Sequence, residues 1–196
     1  MLANLVLLWL AALPLMGSPG PATLSTAAVG ASFGWRRGLP WLAGIVAGTA
    51  VVLLLIASGV TAAILAVPEL KTAITLLAAA YILWLAGRIA TAPPLSNEVA
   101  AKPPAFPGGF LLALANPKAF AAIGAVYAGH SIVPGDLALD AAAKIAALLP
   151  VIVLVNTVWL LSGALLATAL RDPRKSRIAN VGFAVLLVAS VGLAVL

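Results

Sequence analysis

At 196 residues, with 64% hydrophobic and only 8% charged positions and a mean hydropathy of +1.19, the chain is more apolar than any soluble domain needs to be. This excludes a soluble enzyme or binding module and reads as an all-α integral membrane protein. The formal net charge of +6 is carried by short polar segments between apolar runs, so it describes topology and leaves little to a nucleic-acid partner. Cysteine is absent, which excludes a thiol-redox membrane carrier.

A membrane span takes roughly 20 apolar residues, and six are predicted. The first, about 2–31, opens with "MLANLVLLWLAALPLMG"; without the basic segment that begins a secretory leader, it is taken as a span of the mature protein. It is interrupted by "GSPGPAT", Gly17 to Thr23. There Ser18-Pro19 and Gly20-Pro21 each offer an N-cap followed by proline at the first helical position. The second span, about 39–64, sets Gly44 and Gly48 at the spacing that lets membrane helices approach closely, within the chain or in a homodimer. The third, about 70–90, is flanked by Lys71 and Arg88, which must snorkel to its ends. It carries Tyr81, read equally as packing and as a site residue.

A proline-rich linker, about 91–106, leads to the fourth span, about 107–131. This one is also interrupted, by "LANPKAF" at 114–120, where Asn116 reads as an N-cap and Pro117 as the first helical residue. Lys118 is the one basic residue well inside a predicted span, and such residues face the bundle interior or an aqueous path. His130, at the outer end of this span, is expected to be solvated. The fifth span, about 141–168, holds Asn156 and Thr157, which either line a cavity or bond across helices. The sixth is about 178–196.

Arg36, Arg37, Arg88, Lys102, Arg171, Arg174, Lys175 and Arg177 fall on one side of this plan. Lys71 and Lys144 fall on the other, beside Glu69, Asp136 and Asp140. The positive-inside rule makes the first side cytoplasmic and puts both termini outside. Trp35, Trp41 and Trp84 then lie near the cytoplasmic interface, while Trp9 and Trp159 lie deeper and are read as packing residues. No acidic residue falls inside a predicted span.

Pro117 lies half the chain length beyond Pro19, and each break sits in the first helix of a three-helix half. Three is odd, so the second half enters the membrane from the opposite side. The fold predicted is a single transmembrane domain, 1–196, of six helices as two inverted three-helix repeats, about 1–92 and about 105–196, with helices 1 and 4 broken. Paired breaks of this kind point to a binding site. Helix starts there offer free N–H groups and a positive dipole end to a carboxylate, at a depth where irregular backbone needs a cavity or protein cover. The candidate site is Ser18, Pro19, Gly20, Pro21, Asn116, Pro117 and Lys118, with Tyr81 and Asn156 beside them. No nucleophile with a base and no pair of intramembrane carboxylates is present, so neither an enzyme nor a cofactor is called for. A divalent-metal exporter is a secondary reading, set back by a single His and no intramembrane acid. Export of a lipid-linked cargo is another.

The blocks "GSPGPATLSTAAVGASFGWRRGLPWLAGIVAG", "LLAAAYILWLAGR", "FPGGFLLALANPKAF" and "RDPRKSRIANVGFAVLLVASVGL" together resemble, over nearly the whole chain, the lysine exporter family of bacterial inner-membrane transporters and its homoserine/threonine exporter branch. The resemblance implies a six-helix exporter of amino acids or similar small zwitterionic metabolites, driven by the proton gradient. It carries the family's motif positions onto Pro19, Gly20, Pro21, Gly44, Gly48, Tyr81, Gly87, Asn116, Pro117 and Lys118. Many members have Asp directly after Pro-Gly-Pro, where this chain has Ala22.

Overall fold

The computed structural model describes residues 1–59, 68–91, 105–169 and 173–195, apart from the side chains of some helical residues in 68–91 and 167–195. Among them, every regular element is an α-helix: α1 (Leu2–Gly17), α2 (Pro21–Ala57), α3 (Pro68–Ala90), α4 (Phe106–Leu114), α5 (Pro117–Gly129), α6 (Leu137–Ala169) and α7 (Pro173–Val195). Two of these, α2 and α6, are long and apolar enough to cross a membrane, and a third span results if α4 and α5, bent by 59° at their break, are counted as one. Most of the expected linker, 92–104, lies outside the described residues, as does the predicted end of the second span beyond 59.

The first predicted span is α1 together with the start of α2, divided at Ser18 to Gly20. As one straight helix, the 37 residues of α2 would rise about 55 Å, nearly twice the hydrocarbon thickness. The chain avoids this at Gly34, where φ 76 and ψ 165 leave the helical region. A positive φ there is open to glycine and strained for other residues. Val29 and Gly38, on either side, come together: a Cβ on Gly38 would stand 3.3 Å from Val29 Cγ1. Nine helical steps would otherwise separate them by about 13 Å. Arg36 and Arg37 follow the turn and are exposed. The polar corner expected between the first two spans is therefore this reversal inside α2.

Two glycine-lined seams hold the long helices. The 21–33 segment of α2 lies against α6, where a Cβ on Gly30 would fall 2.2 Å from Leu160 O and one on Gly163 would fall 2.0 Å from Ala27 O. The 35–57 segment lies against α4, with Gly44 facing Phe106 O at 2.2 Å, Gly48 facing Phe110 O at 2.6 Å and Gly109 facing Trp41 O at 2.4 Å in the same sense. At such separations no side chain fits, and van der Waals contact between backbones replaces it. Gly44 and Gly48 are thus used within the chain, against α4.

Side chains fill two adjoining cores. Leu24, Val29, Trp41, Ile45, Ile82, Leu85 and Leu112 form one; Leu8, Val52, Leu53, Ile123, Leu148 and Ile152 form the other. Trp159 packs against both. Trp41, expected at the interface, is instead 1% exposed, because the Gly109 seam draws its helix onto α4. Trp35 and Trp84 are exposed. α6 begins at Leu137, earlier than expected, and this brings Asp140 inside a candidate span. Asp140 Oδ1 accepts from Ile132 N (2.6 Å), Val133 N (2.8 Å) and Ser131 Oγ (3.1 Å). Its Oδ2 pairs with Lys144 Nζ at 2.8 Å, and Lys144 also donates to Tyr127 O at 2.9 Å. These bonds tie the segment after α5 to the first turns of α6. α7 likewise starts early, at Pro173, so Arg174 and Arg177 stand in the helix rather than before it.

Candidate functional site

The two breaks meet. α1 ends at Gly17 with Ser18 as its C-cap, and α2 starts from Gly20 as N-cap with Pro21 in the first turn. The expectation that Ser18-Pro19 also begins a helix is corrected: Ser18 N donates to Pro14 O at 3.0 Å, closing the last turn of α1, and Ser18 Oγ donates to Leu15 O at 2.9 Å. Gly20 N donates to Thr23 Oγ1 at 2.9 Å, which is the half of a capping box that does not require a side chain on the N-cap. Across the cavity, Asn116 is the N-cap of α5 and Pro117 its first residue. Asn116 Oδ1 accepts from Lys118 N at 3.2 Å, while Asn116 itself is 4% exposed.

Two donors from the second half of the chain grip the carbonyls freed at the end of α1. Trp159 Nε1 donates to Gly17 O at 3.0 Å, and Lys118 Nζ donates to Ser18 O. The Lys118 stem lies along Gly20, where a Cβ would come 2.4 Å from Lys118 Cδ and 3.1 Å from Nζ. Gly20 itself has an extended backbone (φ −171) that any residue adopts. Glycine is needed here for the room it leaves to lysine.

These groups border a cavity of about 40 Å³, enough for a few water molecules at roughly 10–15 Å³ each. Gly20, Asn116, Lys118 and Asn156 line it, together with Ala22, Thr23 and Thr49 and an apolar wall that includes Ala119, Ala122, Ile123, Ile152 and Val155. Ala22 belongs to one hydrophobic core and Ile123, Ile152 and Val155 to the other, so the cavity lies where the two cores meet. Of the candidates named from the sequence, Ser18 reaches the site through its carbonyl, whereas Pro19, Pro21 and Pro117 shape the breaks without lining the cavity. The side chain of Tyr81 lies outside the described residues. Lys118 carries the only charge on the wall among the described residues.

Thr23 and Thr49 went unrecognised in the sequence. A signal existed for Thr23, three residues after a glycine N-cap, the position whose side chain reaches back in a capping box. Thr49 directly follows Gly48, but its side chain becomes part of the site only through the way α2 packs. His130 caps α5, with Nδ1 3.0 Å from Val126 O. Trp9 Nε1 donates to Ala147 O at 3.0 Å.

Comparison with known proteins follows the same lines. The family model described as LysE type translocator matches residues 13–196. The cysteine/O-acetylserine efflux protein of Salmonella typhi is 32% identical over 172 residues, which cover 87% of each chain. The protein of the same description from Escherichia coli (strain K12) is 31% identical over 173 residues, again 87% of each chain, as is that of Shigella sonnei (strain Ss046). No solved structure matches.

Proposed function

Because the chain belongs to the LysE type translocator family, a family of transporters rather than enzymes, we propose that it exports small zwitterionic amino acids, of the size and charge of cysteine and O-acetylserine, from the cytoplasm. The family and the long apolar helices support a protein of the bacterial inner membrane. In this reading six spans form two inverted repeats, with α1 and the 21–33 segment as the first span and α4 and α5 as the fourth. Both termini face outward. Substrate moves by alternating access as the halves rock about the cavity, and the proton gradient drives the cycle.

One observation carries the reading: the hydrogen bond from Lys118 Nζ to Ser18 O. It joins the paired breaks of the two halves across a cavity bordered by the N-cap regions of α2 and α5. An ammonium offers three protons. A substrate carboxylate is the natural competitor for them, since its full negative charge attracts the ammonium more strongly than the partial charge on a carbonyl oxygen does. The start of α5 adds its positive dipole end. Carboxylate binding therefore draws Lys118 from Ser18 O and releases one tie between the halves, which links occupancy to opening. The cavity's small volume suits a closed state between the inward and outward forms.

Efflux of labelled amino acids from loaded cells tests this. Lys118→Ala is expected to abolish export at normal membrane abundance. Normal efflux from a well-inserted Lys118→Ala protein would remove the proposed role.

A further inference from the structure

Asn156 stands on the wall of the same cavity, 5% exposed, and half of its carboxamide is in use. Nδ2 donates to Ile152 O, one turn back on α6, at 2.8 Å. A carbonyl only accepts, so this bond fixes which terminal atom is the nitrogen. The other atom, Oδ1, is buried and has no hydrogen-bond partner among the described residues. Folded chains rarely leave a buried acceptor open, and each such case calls for an explanation.

The remainder of the wall indicates what that acceptor is for. Lys118 Nζ supplies donors and a positive charge for a carboxylate, and the start of α5 supplies a positive dipole end. An α-amino acid held there brings its ammonium along, and the ammonium needs acceptors. The wall provides no carboxylate among the described residues; of its hydroxyls Thr23 Oγ1 is already engaged by Gly20 N, which leaves Thr49 and the unpartnered Asn156 Oδ1 as neutral acceptors. We infer that Asn156 Oδ1 accepts a hydrogen bond from the substrate's ammonium, and that a neutral amide at this place restricts the exporter to amino acids of zero net charge. A dibasic amino acid would bring a second cation beside Lys118 with no counter-charge, and like charges repel strongly where water is scarce. The inference rests on the exporter reading and adds to it the group that reads the amine.

The test uses the purified full-length chain in proteoliposomes with three labelled probes: L-cysteine, 3-mercaptopropionate and L-lysine. 3-Mercaptopropionate keeps the carboxylate and thiol of cysteine and replaces the ammonium with hydrogen, so it is smaller and suffers no steric exclusion. The native protein is expected to transport cysteine at least tenfold better than either other probe, because a site built to hydrogen-bond a polar group discriminates against an analogue lacking it. Asn156→Leu is expected to remove most of the preference for cysteine over 3-mercaptopropionate. Asn156→Asp, which keeps the shape of the side chain and adds a charge, is expected to raise lysine transport at least tenfold relative to cysteine. It carries the test by itself if Asn156→Leu does not insert. Unchanged selectivity in an inserted, active variant overturns the role of Asn156 and leaves the exporter reading intact. A native protein that transports none of the probes overturns both.

Discussion

Gly20 holds its place because of what stands opposite it. A methyl group there would press on Lys118 Cδ at 2.4 Å, and a lysine stem is flexible enough to yield. Gly20→Ala is therefore expected to insert and fold normally while moving the ammonium off Ser18 O. The measurable result is a fall of about tenfold in the apparent KM for efflux, equivalent to roughly 1.4 kcal/mol, because a substrate carboxylate no longer has to displace Ser18 O. An unchanged KM would show that the position of the lysine is immaterial. The Asn116-Pro117-Lys118 run was legible because capping chemistry is local: the amide oxygen, the missing N–H and the fixed φ all act within one turn. Ser18 was misread for a related reason. Two consecutive residue-proline pairs fit the same local pattern, and the choice between them was made by the carbonyl of Pro14, which draws Ser18 into the end of α1.

At the scale of elements, the seams are the sensitive features. A Cβ on Gly163 would stand 2.0 Å from Ala27 O, a backbone atom that yields only if α2 and α6 separate. Gly163→Ala is expected to destabilise the protein by about 1–3 kcal/mol, the usual range for overpacking, read as a lower thermal midpoint in detergent together with reduced efflux. Gly124 supplies the contrast, because a Cβ there meets nothing within 4 Å. Gly124→Ala is expected to leave stability unchanged or raise it by about 0.5–1 kcal/mol through helix propensity. Equal losses in both variants would refute the close-approach explanation. The Asp140–Lys144 pair calls for a different experiment, since removing one partner leaves a buried charge uncompensated. Asp140→Asn is expected to lower the thermal midpoint, and combining it with Lys144→Met is expected to restore part of the loss. If the double variant is no better than the single, the ion pair does not set the stability of this corner.

For the whole molecule, the absence of cysteine in the chain makes topology directly measurable. In otherwise native protein, Leu2→Cys is expected to react with a membrane-impermeant maleimide added to intact cells. Trp35→Cys, at the exposed corner beside Arg36 and Arg37, is expected to react only after permeabilisation. The reverse pattern would invert the proposed orientation. Coupling can be probed through Lys118, the only ionisable group on the cavity wall among the described residues. Arginine keeps its charge at all accessible pH values. Lys118→Arg is accordingly expected to bind substrate while its efflux loses dependence on an imposed pH gradient; full retention of that dependence would place the proton carrier elsewhere.

By itself the sequence determined the solvent, the helical class, the two breaks and the capping roles of Asn116 and Pro117. Each is a matter of composition or of interactions within a turn of chain. Only the tertiary structure decided that Lys118 reaches Ser18, that Asn156 shares its cavity with Thr23 and Thr49, that Trp41 is buried, and that Gly44 and Gly48 face α4. Those outcomes depend on how each helix is turned about its axis. Spans written almost uniformly in Ala, Leu and Val carry no polar face to fix that angle, so backbone-to-backbone packing at the glycine seams sets it instead.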